Sequence, residues 1–183
     1  MSEQLDVLKT LATRLREAGI PYMVSGSVAM NFYAVPRMTR DIDIVVELGP
    51  ADWRRIPALL SSAFYVDEED VRESIRDRAM FNAIHQASMV KVDFILRKDA
   101  PYRLEEFRRR REIDVESTPV SIVAPEDLIL SKLDWAKESL SEMQLRDVRN
   151  ILASVKDLDW GYLSRWARSL GVDALLAEAR AHG

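Results

Sequence analysis

Leu5, Leu8, Leu11, Ala12 and Leu15 recur at helical spacing with charged residues between them, and Gly19 followed by Pro21 ends the pattern. Such a stripe predicts an amphipathic helix. Tyr22-Met23-Val24 is then an apolar run that meets Ser25-Gly26-Ser27, after which Val28 to Tyr33 reads as a helix. Asp41 to Glu47 reads as a second strand, with Ile42 and Ile44 on one side and Asp41 and Asp43 on the other. Side chains two apart on a strand share a face, so the isoleucines enter a core while the aspartates stand together outside it.

The remainder continues the mixture. Pro50 to Leu60 predicts a helix that Pro57 either kinks or begins. Asp67 to Arg78 is heavily charged around Val71 and Ile75, a solvated helix. Ala79 to His85 and Val90 to Leu96 are apolar runs separated by Gln86-Ala87-Ser88-Met89, the length of a hairpin loop. Arg103 to Arg111 predicts a helical surface, Glu112 to Val123 one or two strands bent at Pro119, and everything from Pro125 onward helices, whose leucine-spaced tryptophans read as core. The expected class is α+β: a mixed-sheet core over residues 1–123 flanked by helices, then a helical part over 124–183.

Composition narrows the chemistry. With 183 residues and 48% hydrophobic content, the chain buries a core as one domain, or as a domain with a helical appendage. A net charge of -4 does not suit a protein that coats nucleic acid. Arg108 to Arg111 is the one dense basic run, and its neighbours Glu105, Glu106, Glu112 and Asp114 favour a salt-laced helix end over an RNA path. There is no cysteine, so disulfides, thiolate metal sites and cysteine nucleophiles are excluded. His85 and His182 are the only histidines, too few for a three-histidine zinc centre. The acidic start lacks the pattern of a secretory leader, and no apolar run approaches the roughly 20 residues of a membrane span. The expected location is cytoplasmic, away from membranes.

Asp41 and Asp43 on one strand face, with Asp93 inside the apolar run Met89 to Leu96, give three hard oxygen donors of the type Mg²⁺ takes. Gly26-Ser27 lies between a strand and a helix, where backbone N–H groups can receive phosphate oxygens. The blander alternative makes Asp41 and Asp43 the wet face of an edge strand and Ser-Gly-Ser a plain loop.

Taken together, Gly26-Ser27, Asp41-Ile42-Asp43 and Asp93 resemble the nucleotidyltransferase superfamily related to DNA polymerase beta, whose members carry a Gly-Ser turn, an Asp-x-Asp pair and a third Asp on a later strand. The resemblance implies an enzyme that uses Mg²⁺ or Mn²⁺ to move a nucleoside monophosphate from an NTP to an acceptor hydroxyl. Asp41, Asp43 and Asp93 would be the catalytic metal ligands, with Gly26 and Ser27 on the phosphates. The connection Tyr33 to Arg40 is longer than in the shortest superfamily pattern. With Arg37-Met38-Thr39 it resembles the branch that contains the abortive-infection and toxin-antitoxin nucleotidyltransferases. That branch implies nucleotide binding by Arg37 and Lys132, a catalytic role for Asp147, and a helical part that completes the active site. It further implies an RNA acceptor and an antitoxin partner, whereas elsewhere in the superfamily the same core acts on a small molecule or a protein. The competing function is a catalytically silent nucleotide-binding or toxin-antitoxin partner module. From the residues alone, Lys132 reads as an exposed helix lysine and His85 as a structural or rim residue.

Overall fold

Along Asp41–Val46 every second residue is buried, with Ile42, Ile44 and Val46 at 0% exposure. This alternation is the one the sequence predicts, and it marks a strand with one face in the core. The computed structural model describes residues 2–139 and 141–181, so His182 lies outside the described residues. In chain order the elements are α1 (Ser2–Glu17), β1 (Tyr22–Ser25), α2 (Gly26–Tyr33), β2 (Asp41–Val46), a 3-10 turn (Pro50–Trp53), α3 (Arg55–Leu60), β3 (Phe64–Val66), α4 (Glu68–Asp77), β4 (Met80–His85) and β5 (Lys91–Leu96). Then follow α5 (Pro101–Arg108), β6 (Arg111–Val115), β7 (Thr118–Ile122), α6 (Pro125–Ser139), α7 (Glu142–Ser154), α8 (Trp160–Leu170) and α9 (Asp173–Ala181).

The described strands form one seven-stranded mixed sheet in the order β3-β4-β5-β2-β1-β7-β6. Parallel pairing joins β2 to β5 and β1 to β7, and the remaining neighbours are antiparallel. The α+β class is therefore as expected. On the buried face Phe81 of β4 stacks on Phe94 of β5 with ring centroids 4.9 Å apart. Leu8, Leu11 and Leu15 of α1 are at 0% exposure, and α1 packs against β7.

The chain folds into two compact units. One holds the residues up to Val28 together with Met38–Ile122, and so contains the whole sheet. The other holds Ala29–Arg37 together with the residues from Val123 on, and α6 packs there against α7, α8 and α9. The helical unit thus includes a segment, Ala29–Arg37, that lies far upstream of the other helices.

Several local expectations are corrected. The stretch predicted as one helix from Pro50 is a 3-10 turn followed by α3, with Pro57 in the first turn of α3, where its missing N–H costs nothing. β3 was not anticipated: it is three residues long with only Phe64 fully buried, too short for alternation to register. The helix around Leu104 stops at Arg108, and Arg111 already belongs to β6. The turn between β6 and β7 falls at Glu116 and Ser117, both at positive φ, while Pro119 lies inside β7 opposite Asp114. Pro119 is tolerated because β7 meets β1 only at its far end, Ile122 opposite Val24. Trp135 is 62% exposed and so does not belong to the core.

Candidate functional site

Strand register assembles the acidic site. Asp43 lies opposite Asp93 in the parallel β2–β5 pair, and Asp41 lies opposite Lys91. Because partners in register share a face, Asp41, Asp43, Lys91 and Asp93 form one four-cornered patch. Ser25 of β1 is opposite Asp43, and Asn82 of β4 is opposite Asp93, so a polar row crosses four strands. The three aspartates singled out from sequence are brought together.

Gly26 is tied to this row by sterics. Its φ is +62°, and a Cβ placed on it would fall 1.8 Å from Asp43 Oδ2. Only glycine satisfies both demands. Helix α2 starts at Gly26 itself, two residues before the expected Val28, which puts Ser27 in the first helical turn. The backbone entering β2 is held from α1: Gln4 Nε2 donates to Thr39 O at 3.4 Å and to Asp41 O at 3.5 Å.

Lys91 is the residue that the sequence reading passed over. Its Nζ donates to Asp93 Oδ2 at 3.0 Å and lies 2.8 Å from Oδ1. The second approach is ionic contact without hydrogen-bond alignment, because Oδ1 is buried and has no aligned donor. Asp93 itself is 9% exposed. The hydrogen bond to Asp93 raises the Lys91 ammonium pKa, desolvation partly offsets this, and the charges of Asp93, Asp41 and Asp43 raise it further. A Lys-x-Asp spacing in the apolar run that became β5 was the available signal.

In donor chemistry the patch suits a hard divalent cation, since carboxylate oxygens are what Mg²⁺ and Mn²⁺ bind, and the orphaned Oδ1 of Asp93 is an oxygen with coordination capacity to spare. The carboxylates are not gathered into a ready cage, however: among the described residues, no three or more Asp, Glu, His or Cys are grouped closely enough to hold an ion.

The other three candidates meet within the helical unit. Arg37 Nε donates to Asp147 Oδ1 at 3.0 Å and Arg37 Nη2 to Oδ2 at 2.9 Å, a two-pronged pair. Lys132 Nζ donates to the same Oδ2 at 2.8 Å and to Gln144 Oε1 at 3.0 Å. Asn31 fixes the arginine's backbone, accepting from Arg37 N at 2.9 Å and donating to Arg37 O at 3.0 Å. Lys132 is 4% exposed and Asp147 0%, so the expectation of a solvent-facing lysine is corrected. Burial alone would raise the Asp147 carboxyl pKa, but hydrogen bonds from Arg37 and Lys132, together with their charges, outweigh burial and lower it.

Two other sequence features resolve as structural. Arg108 pairs with Glu105 at 2.7 Å, and the Arg110 guanidinium lies over the Phe107 ring at 4.3 Å. His85 Nδ1 shares a 2.8 Å hydrogen bond with Ser88 Oγ in the hairpin turn. No described helix is long and apolar enough to cross a membrane.

No protein-family model and no curated protein sequence matches the chain. Solved structures do. An antigenic nucleotidyltransferase-like protein from Paracoccidioides brasiliensis aligns with a TM-score of 0.63 at 15% identity, over 98% of this chain and 93% of its own. The antibiotic-resistance factor ANT(2'')-Ia aligns with a TM-score of 0.63 at 16% identity, over 100% and 99% of the two chains. The lincosamide antibiotic adenylyltransferase LnuA, in its lincomycin-bound structure, aligns with a TM-score of 0.52 at 11% identity, over 77% of this chain and 91% of its own. The chain therefore has the fold of the nucleotidyltransferases.

Proposed function

We propose that this protein is a nucleotidyltransferase that moves a nucleoside monophosphate from an NTP to an acceptor hydroxyl. The observation that carries this reading is the register that sets Asp41, Asp43 and Asp93 on one face, with Gly26 closed against Asp43. In the reaction the acceptor oxygen bonds to the α-phosphorus, the bond from that phosphorus to the bridging oxygen of pyrophosphate breaks, and the hydroxyl proton passes to Asp93. Asp41, Asp43 and Asp93 would hold Mg²⁺ or Mn²⁺, which when bound supplies charge neutralisation of the triphosphate and of the transition state. The first turn of α2, at Gly26 and Ser27, presents backbone N–H groups suited to phosphate oxygens.

For Arg37 and Lys132 the nucleotide-binding role rests on the branch resemblance, as does the catalytic role of Asp147. Their mutual ion pairs support a simpler part for Asp147, a buried counter-ion that holds two cations. The division into a catalytic core over 1–123 and a helical part over 124–183 is kept as a functional proposal, with Ala29–Arg37 added to the helical side.

We favour a small hydroxyl compound as the acceptor. The side chains of Arg108 and Arg110 already engage Glu105 and Phe107, which argues against a basic RNA track there, and two of the similar folds belong to antibiotic-directed proteins. An RNA acceptor and an antitoxin partner rest on the branch resemblance alone. The intact set of three aspartates supports a catalyst over a silent binding module.

The test is incubation with each of the four NTPs, labelled at the α-phosphate, and with pooled small hydroxyl compounds, total RNA or protein. Label in a small product with release of pyrophosphate is expected. Label in RNA overturns the acceptor assignment, and no transfer from any NTP to any acceptor overturns the enzyme.

A further inference from the structure

The acidic face carries its own cation. Four side chains share one face of β2 and β5, three carboxylates and the ammonium of Lys91, and the ammonium sits on Asp93 at 2.8 Å and 3.0 Å from its two oxygens. Asp93 is nine-tenths buried and still has an oxygen without an aligned donor. Lys91 is more open, with 40% of its side chain exposed, so it can swing away where Asp93 cannot. We propose that Lys91 is a tethered counter-ion of the carboxylate row, which stabilises the row in the metal-free protein and which a divalent cation must displace from Asp93 in order to bind. The proposal rests on the nucleotidyltransferase reading of the row.

Two observations support it. The Asp41–Lys91 register puts the lysine beside a second carboxylate as well as its hydrogen-bonded partner. And among the described residues the carboxylates, with the ammonium beside them, are not grouped as an ion-binding cluster. One cation occupying a site lowers the affinity of another by plain Coulomb repulsion and by blocking the oxygens it holds. Lys91 is thus a positioning residue: it acts through Asp93.

The discriminating experiment titrates Mn²⁺ alone into the full-length protein at pH 8, with free ion read by electron paramagnetic resonance and melting temperature followed in parallel. Lys91→Met is expected to bind Mn²⁺ about tenfold more tightly than wild type, the ratio that one screened charge a few ångströms away carries. It should also melt lower without metal and gain more on adding Mn²⁺. Lys91→Arg, which keeps the charge, should behave as wild type, a distinction that a merely space-filling role would not produce. Equal or weaker Mn²⁺ binding by Lys91→Met, or a Lys91→Arg that behaves like Lys91→Met, overturns the proposal. Label transfer by wild type is scored separately. Transfer with unchanged Mn²⁺ affinity in Lys91→Met sinks the counter-ion and spares the enzyme, whereas tighter Mn²⁺ binding without transfer from any NTP does the reverse.

Discussion

Asp43 Oδ2 occupies the space in which a side chain on Gly26 would begin, 1.8 Å from the place of its Cβ. The glycine turn and the acidic strand are thus one steric unit, although Gly26 and Asp43 stand far apart in sequence.

Gly26→Ala must therefore displace the Asp43 carboxylate and also hold alanine at a φ of +62°. The expected loss is about 2 kcal/mol or more, from the strain of a left-handed alanine plus overpacking. Urea unfolding measures it. Gly26→Ala combined with Asp43→Ala should recover the steric part, and a Gly26→Ala protein as stable as wild type would show that the carboxylate has room to move.

For the acidic row, Mn²⁺ together with NTP should raise the melting temperature of the wild type, because a ligand that binds only the folded state stabilises it by mass action. Asp43→Asn should lose most of that shift. Asp70→Asn, on the exposed face of α4, should keep it. Loss of the shift in both variants, or in neither, is the outcome that counts against the row.

Removing the Asp147 carboxylate leaves Arg37 and Lys132 facing each other without their shared anion. Asp147→Ala should cost about 3 kcal/mol, the scale of a broken buried pair. Lys132→Ala is likewise expected to destabilise, contrary to the surface change that an exposed lysine would make. Arg108→Gln, whose side chain is 72% exposed, should fall within about 0.5 kcal/mol of wild type. Chemical denaturation of the three variants checks the ranking.

The same carboxyl sets an acid limb. Because the pKa of Asp147 is lowered in the folded state, its contribution to stability is complete above the unfolded value of about 3.9 and is lost as pH falls through the lower folded value. Stability measured from pH 5 downward should therefore fall less steeply in Asp147→Asn than in wild type. An unchanged slope would mean that other carboxyls carry the acid limb.

Much of the site was legible because strands repeat every two residues. Asp41 and Asp43 could be placed on one face, and Asp93 on a matching strand, before any register was known. The parallel β2–β5 pairing was not readable, since it joins segments with α3, β3, α4 and β4 between them. Lys91 escaped because attention to acids hides a base at the same spacing. Lys132 escaped for another reason: Leu128, Ile129, Leu130 and Leu133 are all buried to within 1%, so α6 has no clean wet side from which exposure can be judged. Its surroundings depend on Asp147 in α7, and no local pattern reports that meeting. Tertiary burial likewise decided against the tryptophan reading at Trp135.

The pairing of β2 with β5 also ties the row to the order of folding. Its two acidic strands are neighbours only after the intervening chain has looped out and returned, a closure whose entropy must be spent before the contact rewards it. Asp43 and Asp93 consequently come together in the same event that joins the two halves of the sheet. Any probe of that meeting, such as Mn²⁺ capture during refolding, should rise with the slowest sheet-forming phase and not with the early appearance of helix.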